Sequence, residues 1–253
     1  MLEKNGVRIS AVSYDSQETL RGFADKHGIG FPLLSDRDSA VIRRFGIFNT
    51  NIAPGLRAHG VPHPVVYLVA GDGIIIRKYF VENYQHRVTA SSVVLREFGG
   101  VDQDAAVTIL QSGALRVEVR LSSARAFAGQ EIGLSAKFTL EPGWHVYGTP
   151  LPDAYTATSI AFDDPQIIRQ SFELPQAQPM EIATLGETLP VYGGSFQGLG
   201  SLLLKFPMAA GNTTLSGQLR FQQCSDSVCE APETVPFELP LTIEVFMDAE
   251  PNK

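Results

Sequence analysis

Hydrophobic residues in this 253-residue chain follow one period before Gly99-Gly100-Val101-Asp102-Gln103-Asp104 and another after it. That change constrains the fold most, because helix-and-strand patterns and period-two patterns bury their apolar faces in different architectures. Before it, Val7–Val12 reads as a strand. Asp15 and Glu18 have capping-box spacing. Leu20, Phe23, Ala24 and His27 then fall on one helical face, which Gly28 stops. Val41, Ile42 and Phe45 mark a short helix ended by Gly46. Val65–Val69 is a wholly apolar strand, Gly71-Asp72-Gly73 is a turn, and Ile74–Tyr79 returns antiparallel. Thr89 caps a last helix carrying Val94, Leu95 and Phe98. Continuous apolar strands between helices predict a sheet covered on both faces.

After the change the alternation is strict. Leu115, Val117, Val119 and Leu121 show it, as do Ile132, Leu134, Ala136, Phe138 and Leu140, and then Val235, Phe237, Leu239, Leu241, Ile243 and Val245. Many short alternating strands with Gly/Pro turns predict a β-sandwich. Asp104–Gln111 is the single helix candidate in this half. The fold class expected is therefore two domains, an α/β domain followed by an all-β sandwich.

Composition excludes some functions. The formal net charge is −7 and no Lys/Arg run interrupts it, so a nucleic-acid role has no electrostatic support. No apolar run approaches the roughly 20 residues that span a bilayer. Met1-Leu2-Glu3-Lys4-Asn5-Gly6 has no apolar signal core, so no export signal is expected.

The two cysteines of the chain, Cys224 and Cys229, flank Ser225-Asp226-Ser227-Val228. Leu219 and Phe221 alternate as in a half-buried strand, and Ser225-Asp226-Ser227 has turn chemistry. A strand, tight turn and return strand would bring the Cα atoms within the roughly 4.4–6.8 Å of a disulfide. Four readings stay open on the residues alone: a redox-active pair, a structural staple, two unrelated buried thiols, and half a zinc site, for which no second Cys/His pair exists. Asp226 would disfavour a neighbouring thiolate or cap the turn. His27, His59, His63 and His86 are spread over separate elements. His27 reads as a core residue, and His63, between two prolines, as a loop residue. Trp144, His145 and Tyr147 read as sandwich core.

The first half resembles the alkyl hydroperoxide reductase/thiol-specific antioxidant family, a peroxiredoxin-like branch of the thioredoxin fold. The resemblance runs through Val7–Ser16, Glu18–Gly28, Phe31–Asp36, Phe45-Gly46-Ile47 and Pro62–Gly73. It implies that Pro64 is the cis-proline beside the active site and a substrate-binding residue. It also implies a preceding strand, turn and cysteine-bearing helix. Here six residues precede Val7 and no cysteine comes before Cys224. Residues 1–99 are therefore expected to be an incomplete thioredoxin-like domain without its own peroxidatic thiol, as from a reading frame beginning at an internal Met. The two strands flanking the missing one should face a gap.

The second half resembles the amino-terminal, immunoglobulin-like periplasmic domain of the thiol:disulfide interchange protein DsbD, over residues 114–246. The residues carrying this are Pro142–Tyr147, Leu174-Pro175, Gly186-Glu187 leading to Val191-Tyr192, and Phe221–Cys224 through Cys229–Thr234. The resemblance implies that Cys224 and Cys229 form the redox pair, that Leu185 in a thin cap loop (Ile182–Gly186) and Tyr192 help bind partners, and that the protein is periplasmic or secreted. Its implied partners are thioredoxin-like or other thiol/disulfide proteins, and it calls for no cofactor and no metal. The function expected is thiol–disulfide exchange through Cys224 and Cys229. The alternative is a non-catalytic interaction module in which the bridge is a staple. Self-sufficient peroxidase chemistry lacks a thiol.

Overall fold

The computed structural model describes residues 2–56, 59–80, 83, 86–182 and 186–245. The chain divides into two compact units, Met1–Val88 and Thr89–Lys253. The first contains β1 (Ala11–Ser13), α1 (Gln17–His27), β2 (Leu33–Ser35), α2 (Ala40–Arg44), β3 (Val65–Val69), β4 (Ile75–Phe80) and β5 (Arg87–Val88). Ser16, not Asp15, caps α1: its hydroxyl accepts from the Thr19 amide, while the Asp15 carboxylate accepts from the Ser13 hydroxyl. Gly28 closes the helix in the left-handed conformation that a residue without Cβ adopts freely.

The expected strand over Val7–Val12 is reduced to Ala11–Ser13, which pairs in parallel with β2. β3 and β4 form an antiparallel hairpin, and the two pairs are separate two-stranded sheets. The expectation of a sheet covered on both faces is therefore corrected. Val12, Leu34, Val66, Val69, Ile75 and Phe80 are all exposed, because neither pair has enough partners to bury two faces. Among the described residues of this unit, the buried hydrophobic side chains are Leu20, Ile42 and Ile47.

The second unit opens with α3 (Ala90–Phe98), capped by Thr89 as expected. This helix belongs with the sandwich and not with the α/β unit. Val93, Val94 and Leu95 are buried, and the Ser92 hydroxyl donates to the Glu131 carbonyl. Leu95 lies over Gly133, where an added Cβ would come within 2.8 Å of it. The strands follow: β6 (Val107–Ser112), β7 (Leu115–Leu121), β8 (Arg125–Phe127), β9 (Gln130–Leu140), β10 (Trp144–Tyr147), β11 (Ser159–Phe162), β12 (Ile167–Glu173), β13 (Gln178–Ile182), β14 (Glu187–Gly193), β15 (Ser195–Leu204), β16 (Gly211–Phe221), β17 (Gln223–Ser225) and β18 (Glu233–Glu244). Asp104–Gln111 is not a helix. Its second half is β6, which pairs antiparallel with β7 from Val107↔Arg120 to Ser112↔Leu115.

Three sheets result, ordered β12-β15-β9-β7-β6, β11-β16-β18-β8 and β13-β14-β10-β17. The alternation read from sequence is the burial pattern: every second residue of β7 is buried, and Leu215, Leu219 and Phe221 of β16 lie beside Phe237, Leu239 and Leu241 of the neighbouring β18 on the sheet face that enters the main core. At roughly 25 cal/mol per Å² of apolar surface, this core is the dominant stabilising feature of the molecule. A second, smaller cluster of Tyr147, Leu189, Val191 and Cys224 lies on the β13-β14-β10-β17 sheet, with Leu151, Tyr155, Met180 and Ile182 packed against it. No helix among the described residues is long and apolar enough to cross a membrane.

Candidate functional site: the Cys224–Cys229 hairpin

β10 is four residues long, and its alternation splits its side chains between two clusters. Val146 enters the main core and Tyr147 the small one. β17 pairs antiparallel with β10, setting His145 opposite Cys224 and Val146 opposite Gln223. On its other side β10 pairs with β14, setting His145 opposite Gly193 and Tyr147 opposite Val191. Cys224, His145 and Tyr147 therefore share one face of the sheet.

Cys224 and Cys229 are joined by a disulfide, with their Cα atoms 4.2 Å apart. The turn between them is held by Ser225 and not by Asp226. The Ser225 amide donates to the Val228 carbonyl at 2.7 Å, and the Ser225 hydroxyl accepts from the Val228 amide at 3.2 Å. Either side of the bridge is tied down. Gln223, 2% exposed, accepts from the Ala114 amide and donates to the Glu230 carboxylate at 2.6 Å. Gln222 accepts from the Thr156 amide and donates to the Glu230 carbonyl.

The two cysteines are not equivalent. Cys224 is fully buried, whereas Cys229 is exposed. The Tyr147 hydroxyl lies 3.2 Å from Cys224 Sγ and 3.5 Å from Cys229 Sγ. A disulfide sulfur has no proton, so the phenol donates. Tyr147 is itself fully buried. Its phenol is pushed above the ordinary range by that burial and, secondarily, by the negative charge of Glu187. Tyr155 packs on it at 5.2 Å between ring centroids and donates to Glu187 at 2.9 Å. His145 is 5% exposed, and its ring meets Tyr147 edge-on at 5.6 Å. Burial holds its basicity below the ordinary value, against the opposing pull of Asp226.

Of the residues singled out in the sequence, Cys224 and Cys229 come together. Tyr192 does not join them. It points into the main core, stacks on Phe196 at 4.5 Å and donates to the Pro175 carbonyl. Leu185 lies outside the described residues. Pro64 belongs to the other unit and its peptide bond is not cis; the cis bonds among the described residues precede Pro150 and Pro207. Among the described residues no cysteine or catalytic constellation lies beside Pro64 that would fix a cis form, and it simply leads into β3. His27 is half-buried against Phe23, at 4.5 Å between rings. No group of three or more His, Cys, Asp or Glu side chains among the described residues is placed to hold a metal. Tyr147 and His145 are the site residues that sequence reasoning assigned to core. The signal available was their two-residue spacing on the strand that carries Trp144 and Val146 on its other face.

Comparison with known proteins divides the chain at the same change of pattern. Residues 1–78 match the AhpC/TSA family, and residues 117–241 match the family described as thiol:disulfide interchange protein DsbD, N-terminal. Peroxiredoxin Bcp of Escherichia coli (strain K12) is 36% identical over 74 residues, covering 29% of this chain and 47% of that protein. The chain thus spans about half the length of the curated relatives it matches. Among solved structures, the N-terminal periplasmic domain of ScsB from Proteus mirabilis is similar with a TM-score of 0.40 and 16% identity, covering 57% of this chain and 52% of that one. The Neisseria meningitidis DsbD N-terminal domain in its reduced form has a TM-score of 0.29 and 19% identity, covering 44% and 78%. One chain therefore joins a segment that matches the AhpC/TSA family, cysteine-free here, to a segment that matches the DsbD N-terminal family and carries both of its cysteines.

Proposed function

We propose that this protein exchanges disulfides with thioredoxin-like or other thiol/disulfide proteins through Cys224 and Cys229. The observation that carries the reading is the asymmetry of the bridge: the exposed residue Cys229 joined to the fully buried Cys224, with one phenol donating to both sulfurs. Exchange proceeds by attack of a thiolate on an accessible sulfur, and the other sulfur leaves. Access selects Cys229 as the sulfur attacked. The electron pair of the broken S–S bond then goes to Cys224, where the Tyr147 hydroxyl is already aimed. A second thiol of the partner resolves the mixed disulfide, leaving Cys229 reduced and the partner oxidised. The reverse sequence oxidises this protein.

The family match of residues 117–241 supports this chemistry, and we propose a periplasmic setting for it. Residues 1–78 resemble peroxiredoxins but contain no cysteine. We assign them no peroxidase activity of their own, since that chemistry needs an accessible low-pKa thiol.

Equilibration of the full chain with glutathione buffers tests the reading. An exchange-active pair is expected to have a potential above about −300 mV. Cys224→Ser should trap a mixed disulfide with an oxidised thioredoxin-like partner, the Cys229 thiolate attacking the partner's disulfide and one partner cysteine leaving as a thiolate. A potential well below that value, with no trapped adduct, would instead make the bridge a staple in an interaction module.

A further inference from the structure

His145 is a buried titratable group that the exchange sequence above leaves unused. Its Nε2 has no hydrogen-bond partner, which is uncommon for a buried polar atom. Its place in the sheet explains this. On one side the register sets it against Cys224, and on the other against Gly193. Directly opposed residues of an antiparallel pair project from the same face with Cβ atoms about 4.5–5.5 Å apart. Gly193 contributes no side chain, and the nearest atom to a Cβ built there is 3.7 Å away. The space left open belongs to a groove lined by Trp144, His145, Met180, Gly193 and Asp226. His145 therefore has Cys224 opposed to it on one flank and the groove on the other.

We propose that His145 is a positioning residue that takes up a proton as the disulfide opens and then holds the Cys224 thiolate as its counter-ion. The inference rests on the exchange reading for its chemistry. A partner thiolate attacks Cys229 Sγ and a new S–S bond forms. The Cys224–Cys229 bond breaks, and its electron pair resides on Cys224 Sγ. That sulfur is fully buried, and a buried anion is costly unless it is paired and hydrogen-bonded. Tyr147 supplies the hydrogen bond. A proton from solvent, arriving through the groove at His145, supplies the charge. The partner's second thiolate then attacks the partner's own sulfur in the mixed disulfide. Cys229 leaves as a thiolate and is protonated by water, and the partner departs as a disulfide. Two electrons and two protons are taken up, one proton on Cys229 and one on His145.

The charged and titratable groups around His145 are Tyr147 on its own strand, Cys224 and Asp226 from the hairpin, and Tyr155 and Glu187, which act on Tyr147. Asp226 favours the protonated ring. Burial keeps the ring neutral while the bridge is closed, so the cation appears when the thiolate does.

The decisive measurement is an NMR titration of the His145 imidazole in the full chain, oxidised and then reduced with dithiothreitol. The apparent pKa should rise by about one unit or more on reduction, a tenfold or greater change in proton affinity. In Cys224→Ser the ring should not respond to reductant. In His145→Gln the rate of reduction by dithiothreitol at neutral pH should fall roughly tenfold, and the pH dependence of the potential between about pH 5 and 8 should change shape. Identical titration of His145 in the two redox states overturns the inference, whether or not the variant folds. If His145 titrates as expected but no protein partner exchanges with the chain, the exchange reading fails and the proton coupling stands. If exchange proceeds in His145→Gln with an unaltered pH profile, the coupling fails and the exchange reading stands.

Discussion

At the residue scale, a single hydroxyl serves both sulfurs of the disulfide. Tyr147→Phe keeps the ring packed on Tyr155 and removes the donor to both sulfurs. Neutral hydrogen bonds contribute about 0.5–1.5 kcal/mol, and sulfur is a weak acceptor, so the oxidised protein should lose no more than about 1 kcal/mol in urea denaturation. Reduction should slow several-fold, because the departing Cys224 thiolate loses its donor; an unchanged rate would remove Tyr147 from the chemistry. His145 gives a second test. Its folded-state basicity lies below its unfolded value, so the unfolded chain binds more protons as pH falls past about 6.5. The oxidised protein should therefore hold this increment of stability above that pH and lose it as pH drops through the lower folded value. His145→Gln should flatten the slope of the urea midpoint between pH 7 and 5. The cysteines were legible in the sequence because turn chemistry and strand alternation are local. Tyr147 and His145 were not, because their role depends on β17 docking beside β10 in one register, a contact across nearly eighty positions of chain. Ser225 against Asp226 shows the limit more finely: both are turn formers, and which one caps is decided by backbone direction at Val228.

Elements were legible where apolar residues kept a long period and illegible where a short segment fitted two. β7, β9 and β18 follow from alternation alone. Residues 104–111 fitted a helix as well as a strand, and β7, lying antiparallel to them, decided for the strand. β17 is three residues long and depends on side chains for its place. Gln223 bonds the Ala114 amide and Glu230 while buried at its strand's edge. Gln223→Leu should leave that amide and carboxylate unmatched and cost about 1–3 kcal/mol. Urea denaturation of the oxidised protein measures it, and no change would mean that water replaces the amide without loss. The first unit shows the opposite case. Its pattern correctly named α1, α2, β3 and β4, yet apolar strands did not imply burial, since β3 and β4 find no third strand among the described residues.

The two units differ as whole bodies in what they bury. Leu20, Ile42 and Ile47 are the buried hydrophobic residues described in Met1–Val88, against a core of 24 residues in the main cluster of the second unit. Local opening requires little free energy where few apolar contacts must be broken. Limited proteolysis under oxidising conditions should therefore cut residues 1–88 first and leave a resistant fragment beginning near Thr89. Survival of the amino-terminal unit beyond the sandwich would contradict this.

The position of α3 bears on how such a protein can be rearranged by recombination. The family likeness of the second unit starts at residue 117, but the compact body starts with the Thr89 cap, and Leu95 is the plug that covers Gly133. A gene fusion that inherited only the recognisable region would carry an uncovered strand, β9, into its new host protein. The heritable module is thus longer than its signature, and its amino-terminal helix travels as an unmarked part of it.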